Sequence, residues 1–265
     1  MENTVQRKTY FYRVMHAIAR MIFPSATTTY TEPPDDHPAV FVCNHAAMCG
    51  PVMMTLYFGR PHKTWAIHCA LDCSLSVRYA YHDVFFGNSR HVKWFWRMLS
   101  KLVGRAVPTL LNQSGTIPVY HDHRIVKTLR DSLTALTSGE DLVIFAESPQ
   151  CFSPYVNELQ PGFADLGRSY FRRTGECLRF YPVYLEKKHR LISVGCPIAY
   201  DPTEQPDEQR MKVSAYLRDE IDRLGRSAPK HDPVPFLPPR WYAAYGMYEH
   251  DFQKYWEMIE QECVV

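Results

Sequence analysis

Between His37 and Gly59 the chain carries no Asp, Glu, Lys or Arg, and this charge-free stretch constrains the fold more than any other. A run of that length could cross a bilayer. Asn44, His45, Gly50 and Pro51 fall in its middle, however, where hydrocarbon would leave polar groups unpaired and a helix broken. The stretch therefore predicts a buried strand, "AVFVC" at 39–43, then a turn, then a helix opened by Pro51 at its first position.

The elements around it alternate. Residues 5–22 set Phe11, Val14, Met15, Ile18, Met21 and Ile22 at helical spacing, with Arg7, Lys8, Arg13 and Arg20 elsewhere on the helix. This basic amphipathic helix has two readings, packing on the chain's own core or lying in an anionic membrane surface. Pro24 and "TEPPDDHP" predict a loop. "TWAIHCAL" reads as a second strand, "VKWFWRMLSKLVG" as a helix closed by Gly104, with its aromatic residues 94–96 packing the core, and "GTIPVY" as a short strand. Asp122–Ser138 reads as a helix presenting Ile125, Leu129, Leu133 and Leu136, stopped by Gly139, with Asp122 placed to cap it. Strand "DLVIFAE", helix "FADLGRSYFRR", strands "LRFYPVYL" and "RLISVGCPI", and a helix over Asp207–Leu224 follow.

This order predicts an α/β fold whose mixed, mostly parallel sheet is covered by helices, with amphipathic helices at both termini. Three segments are expected: a helical segment over 1–30, an α/β domain over 31–225, and a tail over 226–265. In the tail, "APKHDPVPFLPPR" is an extended connector. Tyr245–Glu262 is an aromatic helix that either completes a core or meets a lipid interface.

Bulk properties narrow the function classes. With 30 Lys and Arg against 28 Asp and Glu, the net charge of +2 offers no global field for nucleic acid. Eight scattered cysteines and the lack of a secretory signal pattern predict a cytoplasmic protein, peripheral on the inner face of the cell membrane if its terminal helices touch lipid. Cys43, His45, Cys49, His68, Cys69 and Cys73 do not have the spacing of a structural zinc site, and no metal is expected.

The chemistry-bearing blocks come in a particular order: "NHAAMCG" at 44–50, "GTIPVYH" at 115–121, "FAESPQC" at 145–151, then "FYPVY" and "VGCPI" between 180 and 198. Their order and spacing resemble the glycerolipid acyltransferase family that includes lysophosphatidic acid acyltransferases. In that family the first block reads NHxxxxD. Its histidine deprotonates an acceptor hydroxyl, which attacks the thioester of acyl-CoA or acyl carrier protein, and its aspartate orients the imidazole. The resemblance makes His45 the general base, and no cofactor is implied beyond the acyl-thioester donor. Glu147 is kept from the third block. Asn44, Gly50, His121, Arg124 and Ser148 then fall at acceptor-binding positions, the acceptor being a lysophospholipid or another lipid-like hydroxyl or amine. An apolar tunnel would receive the acyl chain.

The departures fall on charged positions. Gly50 stands where the aspartate would be, His121 where a phosphate-binding arginine would be, and Ser148, Pro149 and Gln150 replace glycine, threonine and arginine. Two missing arginines argue against a glycerol phosphate acceptor. Removing the carboxylate behind a catalytic histidine costs about four orders of magnitude in serine proteases. Activity thus requires another orienting group, and Asp72, Asp83, Asp122, Glu147 or a backbone carbonyl are the candidates. Cys49, four residues after His45, is an alternative nucleophile if the intervening turn is helical. The readings left open are an acyltransferase, a non-catalytic acyl- or lipid-binding protein, and a thioesterase or cysteine-dependent transferase.

Overall fold

The computed structural model describes residues 10–23, 25–47, 49–85, 91–120, 122–148, 155–234 and 236. His121, Pro149, Gln150 and the predicted C-terminal helix lie outside them. Among the described residues, eight strands form one sheet: β1 (Thr27–Tyr30), β2 (Ala39–Cys43), β3 (His62–Ile67), β4 (Ile117–Val119), β5 (Asp141–Ile144), β6 (Arg179–Glu186), β7 (Leu191–Val194) and β8 (Ile198–Ala199). Their order is β1-β7-β6-β2-β5-β3-β4, with β8 also on β6. Pairing is parallel throughout except where β7 and β8 run antiparallel to β6. The expected mixed, mostly parallel α/β sheet is the one found.

The central strand shows why "AVFVC" has no polar alternation. Hydrogen-bonded on both edges, by β5 and β6, it is also covered on both faces. Val40 and Val42 face a core built with α5 (Ile125–Thr137), α6 (Asp165–Thr174) and α7 (Pro206–Ser227), while Ala39, Phe41 and Cys43 face a second core with α2 (Cys49–Tyr57). A strand in that position buries every residue. Its N-terminal end is tied down by Asp141, a buried carboxylate that accepts the Ala39 N–H at 2.9 Å and the Arg60 Nε–H at 2.6 Å.

Several boundaries differ from the sequence expectations. The first helix, α1, spans Tyr10–Ile22 among the described residues, and its predicted apolar face, Val14, Ile18, Met21 and Ile22, is exposed. The edge strand β1 carries little apolar pattern and was not anticipated. "TWAIHCAL" divides into β3 and a tight turn at His68–Ala70, after which α3 (Cys73–Tyr79), also unpredicted, is capped by Asp72.

The helix expected to stop at Gly104 is α4, Lys93–Gln113, and it runs through both Gly104 and Pro108. Gly104 marks a close approach there: an added Cβ would sit 2.5 Å from Val77 Cα on α3. Trp94 and Phe95, expected in the core, are exposed. On α5 the deeply buried face is Thr128, Ser132, Ala135 and Leu136, with Leu129 and Leu133 flanking it. The Ser132 hydroxyl accepts the Trp65 indole N–H at 2.8 Å and donates to Thr128 O, so these polar residues are satisfied in place. Asp122 accepts the Arg124 N–H but does not cap α5, whose flanking residue is Arg124 with no side-chain cap, contrary to expectation, and Gly139, at φ 82, ends the chain's helical run as expected.

"RLISVGCPI" forms two short strands, β7 and β8. On α7, Val213, Leu217, Ile221 and Leu224 are buried as their phase predicts. Cys43, Cys49, Cys73, Cys177 and Cys196 are free thiols, whereas Cys69 is disulfide-bonded; cysteine spacing carries no signal of that bond. No helix among the described residues is long and apolar enough to cross a membrane.

Candidate functional site

The parallel register delivers the site. Val42 on β2 is level with Ile144 on β5, so three residues further on His45 and Glu147 leave the sheet side by side. The His45 N–H donates to Glu147 Oε2 at 2.6 Å, and the Asn157 N–H donates to Glu147 Oε1 at 2.8 Å. Both carboxylate oxygens are therefore held by backbone amides, and Glu147 secures the histidine's main chain without touching its ring. Burial pushes the Glu147 carboxyl up to about 7, against the lowering pull of the His45 and Asn157 amides.

Asn44 closes the other side. Its N–H bonds to Val183 O, its Oδ1 accepts the Leu185 N–H at 2.7 Å and its Nδ2 donates to Leu185 O at 3.3 Å. The side-chain amide replaces the ladder where the backbone of β2 turns away from β6, and it is buried.

That turn is unusual. Ala46 and Ala47 both adopt left-handed conformations, φ 44 and 51, which non-glycine residues occupy at a cost of about 1 kcal/mol each. The fold brings the Ala47 carbonyl back onto the His45 ring, at 2.6 Å from Nδ1. A carbonyl oxygen can only accept, so Nδ1 carries the proton and Nε2 keeps its lone pair. Among the sequence candidates for the orienting group whose side chains are described, the backbone carbonyl is the one in place. Asp72 caps α3 and Asp122 grips Arg124. The ring is enclosed by Phe145 and Phe236, edge-on at centroid distances of 5.3 and 4.4 Å. Phe236 reaches it because His231, five residues earlier, is anchored through its Nε2 to the Tyr184 hydroxyl at 2.7 Å and through its Nδ1 to Pro229 O. Burial lowers His45 to about 4, the Ala47 bond opposing only in part, so the imidazole is neutral at pH 7.

Gly50 is closed in by packing. A Cβ there would overlap the His45 carbonyl oxygen and come within 3.0 Å of Leu185 Cδ1. The first turn of α2 thus lies directly under the turn that aims the histidine, and hydrogen is the side chain that fits.

The remaining candidates are spread around this centre. Because α2 begins at Cys49, beyond two left-handed residues, the turn linking it to His45 is not helical, contrary to the condition on which a shared face depended. Burial raises the Cys49 thiol above its usual range, and Sγ lies 3.5 Å from Met53 Sδ; both features disfavour a thiolate. Ser148 is fixed through its main chain, N–H to Glu158 O and O to Asn157 Nδ2. Arg124 is exposed, with its guanidinium on the Asp122 carboxylate at 2.7–3.0 Å and over the Tyr120 ring at 4.4 Å.

Sequence reasoning did not single out Ala47, Phe145, Asn157 or Phe236. Phe145 and Ala47 lay inside recognised blocks, Phe145 as an aromatic residue that the pattern could have flagged. Ala47, Asn157 and Phe236 carry no chemical signal: an alanine in a left-handed turn, a loop asparagine acting through its N–H, and a phenylalanine brought in by a distant anchor.

No protein-family model matches the chain, and no curated protein matches it. Among solved structures it is similar to the crystal structure of the 1-acyl-sn-glycerophosphate (LPA) acyltransferase, PlsC, from Thermotoga maritima. The identity is 14%, 84% of each chain is covered, and the TM-score is 0.47.

Proposed function

We propose that this chain transfers a fatty acyl group from an acyl-thioester, of CoA or an acyl carrier protein, to a hydroxyl or amine of a lipid-like acceptor, with His45 as the base. The observation that carries this reading is the bond from Nδ1 to Ala47 O, which leaves Nε2 as the free lone pair at the end of the central strand. In the reaction the acceptor O–H or N–H gives its proton to Nε2 while the oxygen or nitrogen attacks the thioester carbonyl. The C–S bond then breaks, and the departing sulfur takes the proton back from the imidazolium. Glu147 acts as a positioning residue through the His45 amide. A carbonyl supports the transient imidazolium less than a carboxylate does, and burial opposes it further, so turnover is slow relative to a histidine backed by aspartate. On the acceptor side, Asn44 and Gly50 shape the turn, and Arg124 and Ser148 are assigned to acceptor binding, as is His121, which lies outside the described residues. Arg124 already shares its charge with Asp122, which suits an acceptor without a phosphate.

A second reading, acyl binding without turnover, is favoured by the Phe145 and Phe236 rings packed against the imidazole. One experiment separates the two. Purified protein is given palmitoyl-CoA with lysophosphatidylethanolamine or a long-chain amine, and thiol release and acylated product are measured. Acyl transfer predicts product in the wild type, a loss of about 100-fold or more in His45→Ala, and unchanged rates in Cys49→Ala. Saturable palmitoyl-CoA binding with no thiol release would replace transfer by binding. Release without acceptor, or loss in Cys49→Ala, would sink the base assignment.

A further inference from the structure

Two helices expose the faces that their amphipathic patterns would bury in a water-soluble core. α1 turns Val14, Ile18, Met21 and Ile22 outward, Met21 being 80% exposed. On α4, Trp94 and Leu102 are 69% exposed and Met98 56%, and their four-residue spacing makes one continuous ridge. Lys93, Arg97 and Lys101 each precede one of these by one position and, with Arg105 a turn further on, form a parallel cationic ridge, all four exposed. α1 packs beside α4.

Charge is segregated onto this side. Six of the 30 Lys and Arg, and none of the 28 Asp and Glu, lie on α1 and α4, so the remainder of the chain is net acidic. α4 is also rooted at the edge of the sheet where His45 lies: Asn112 Nδ2 near its end donates to Leu71 O, just past β3, at 3.2 Å.

We propose that the outer face of α4, with α1 beside it, docks on an anionic phospholipid bilayer. An apolar ridge next to a cationic one fits a surface whose headgroups are negative and whose interior is hydrocarbon. A second copy of the chain fits poorly, because a two-fold contact through α4 would oppose one cationic ridge to another. Docking by this face brings the carboxyl edge of the sheet, and His45 with it, to the lipid, where an acyl-bearing or lipid-like molecule would enter. Binding itself needs no turnover, so its failure and the failure of acyl transfer are separate results.

The test is sedimentation of the full chain with vesicles of phosphatidylcholine alone or mixed with phosphatidylglycerol, without acyl donor. The expected result is about tenfold or greater preference for the anionic vesicles, weakened by salt. The triple variants Trp94→Ser/Met98→Ser/Leu102→Ser and Lys93→Gln/Arg97→Gln/Lys101→Gln should each lower partitioning about tenfold or more. Met211→Ser, on the exposed side of α7, should leave it unchanged. Urea unfolding confirms that each variant is folded; if the apolar variant is not, the charge variant decides. Equal binding to both vesicle types, or wild-type partitioning by the folded variants, overturns the proposal. So does an oligomer in the wild type that the apolar variant dissociates while vesicle binding persists, which would make the face a protein contact.

Discussion

At the scale of single residues, Gly50 is the position that gives the site its character. Placing a carboxylate there, Gly50→Asp, does not build a His–Asp pair in this fold, because its Cβ meets the His45 carbonyl and Leu185 before the carboxylate can reach the ring. Gly50→Asp is expected to cost about 2 kcal/mol or more in urea unfolding, as overpacking does, and to leave acyl transfer no faster than wild type. A folded, faster Gly50→Asp would mean that the turn relaxes into another arrangement.

His45 and Glu147 also make opposite contributions to stability against pH. His45 binds its proton more weakly folded than unfolded, about 4 against 6.5, so its contribution grows as pH rises through that window. Glu147 binds its proton more strongly folded, about 7 against 4.5, so its contribution shrinks as pH rises from 4.5 to 7. Each amounts to about 3 kcal/mol, and in the wild type they largely cancel. Unfolding free energies of Glu147→Gln should therefore climb with pH between about 4 and 6.5, and those of His45→Gln should fall between 4.5 and 7. Identical slopes in wild type and both variants would rule out this opposition. The residue types were legible in the sequence, but their pairing was not, since Glu147 was one of five candidates to orient the ring. Nor was the division of labour: Glu147 serves the backbone and Ala47 the ring, because carbonyl direction depends on φ and ψ at a residue with no polar side chain.

At the scale of elements, helices and strands were readable wherever one face is dry and the other wet, as on α7. Reading failed where glycine and proline serve packing instead of termination. Gly104 lets α4 lie against the backbone of α3, and Pro108 sits buried within the same helix. Gly104→Leu should thus separate α3 from α4 and destabilise the fold by about 1–3 kcal/mol, measured as a lowered urea midpoint. A midpoint unchanged from wild type would show that the two helices are not in close contact. The exposed ridge of α4 was hidden for a related reason: periodicity shows that a helix has an apolar face, not which way the helix is turned.

At the scale of the whole molecule, the sheet joins the site to the clasp that holds its far edge. Its carboxyl edge carries His45 and Glu147, and its opposite edge is pinned by Asp141, which links the start of β2 to Arg60 and, through Asp35, to Arg179 on β6. Asp141→Ala leaves the Ala39 amide and the Arg60 guanidinium without their buried partner, and a loss of about 3 kcal/mol is expected in denaturant unfolding. A loss under about 1 kcal/mol would show that the clasp is replaceable. By itself the amino-acid sequence determined the α/β class, a fully buried central strand, and which histidine stands at its end, because burial pattern and block order are local properties of the chain. The tertiary structure alone decided what orients that histidine, why position 50 carries no side chain, and which apolar faces remain in solvent. Those outcomes depend on backbone carbonyl directions, on distances of closest approach and on the rotation of helices about their axes, none of which residue identity specifies.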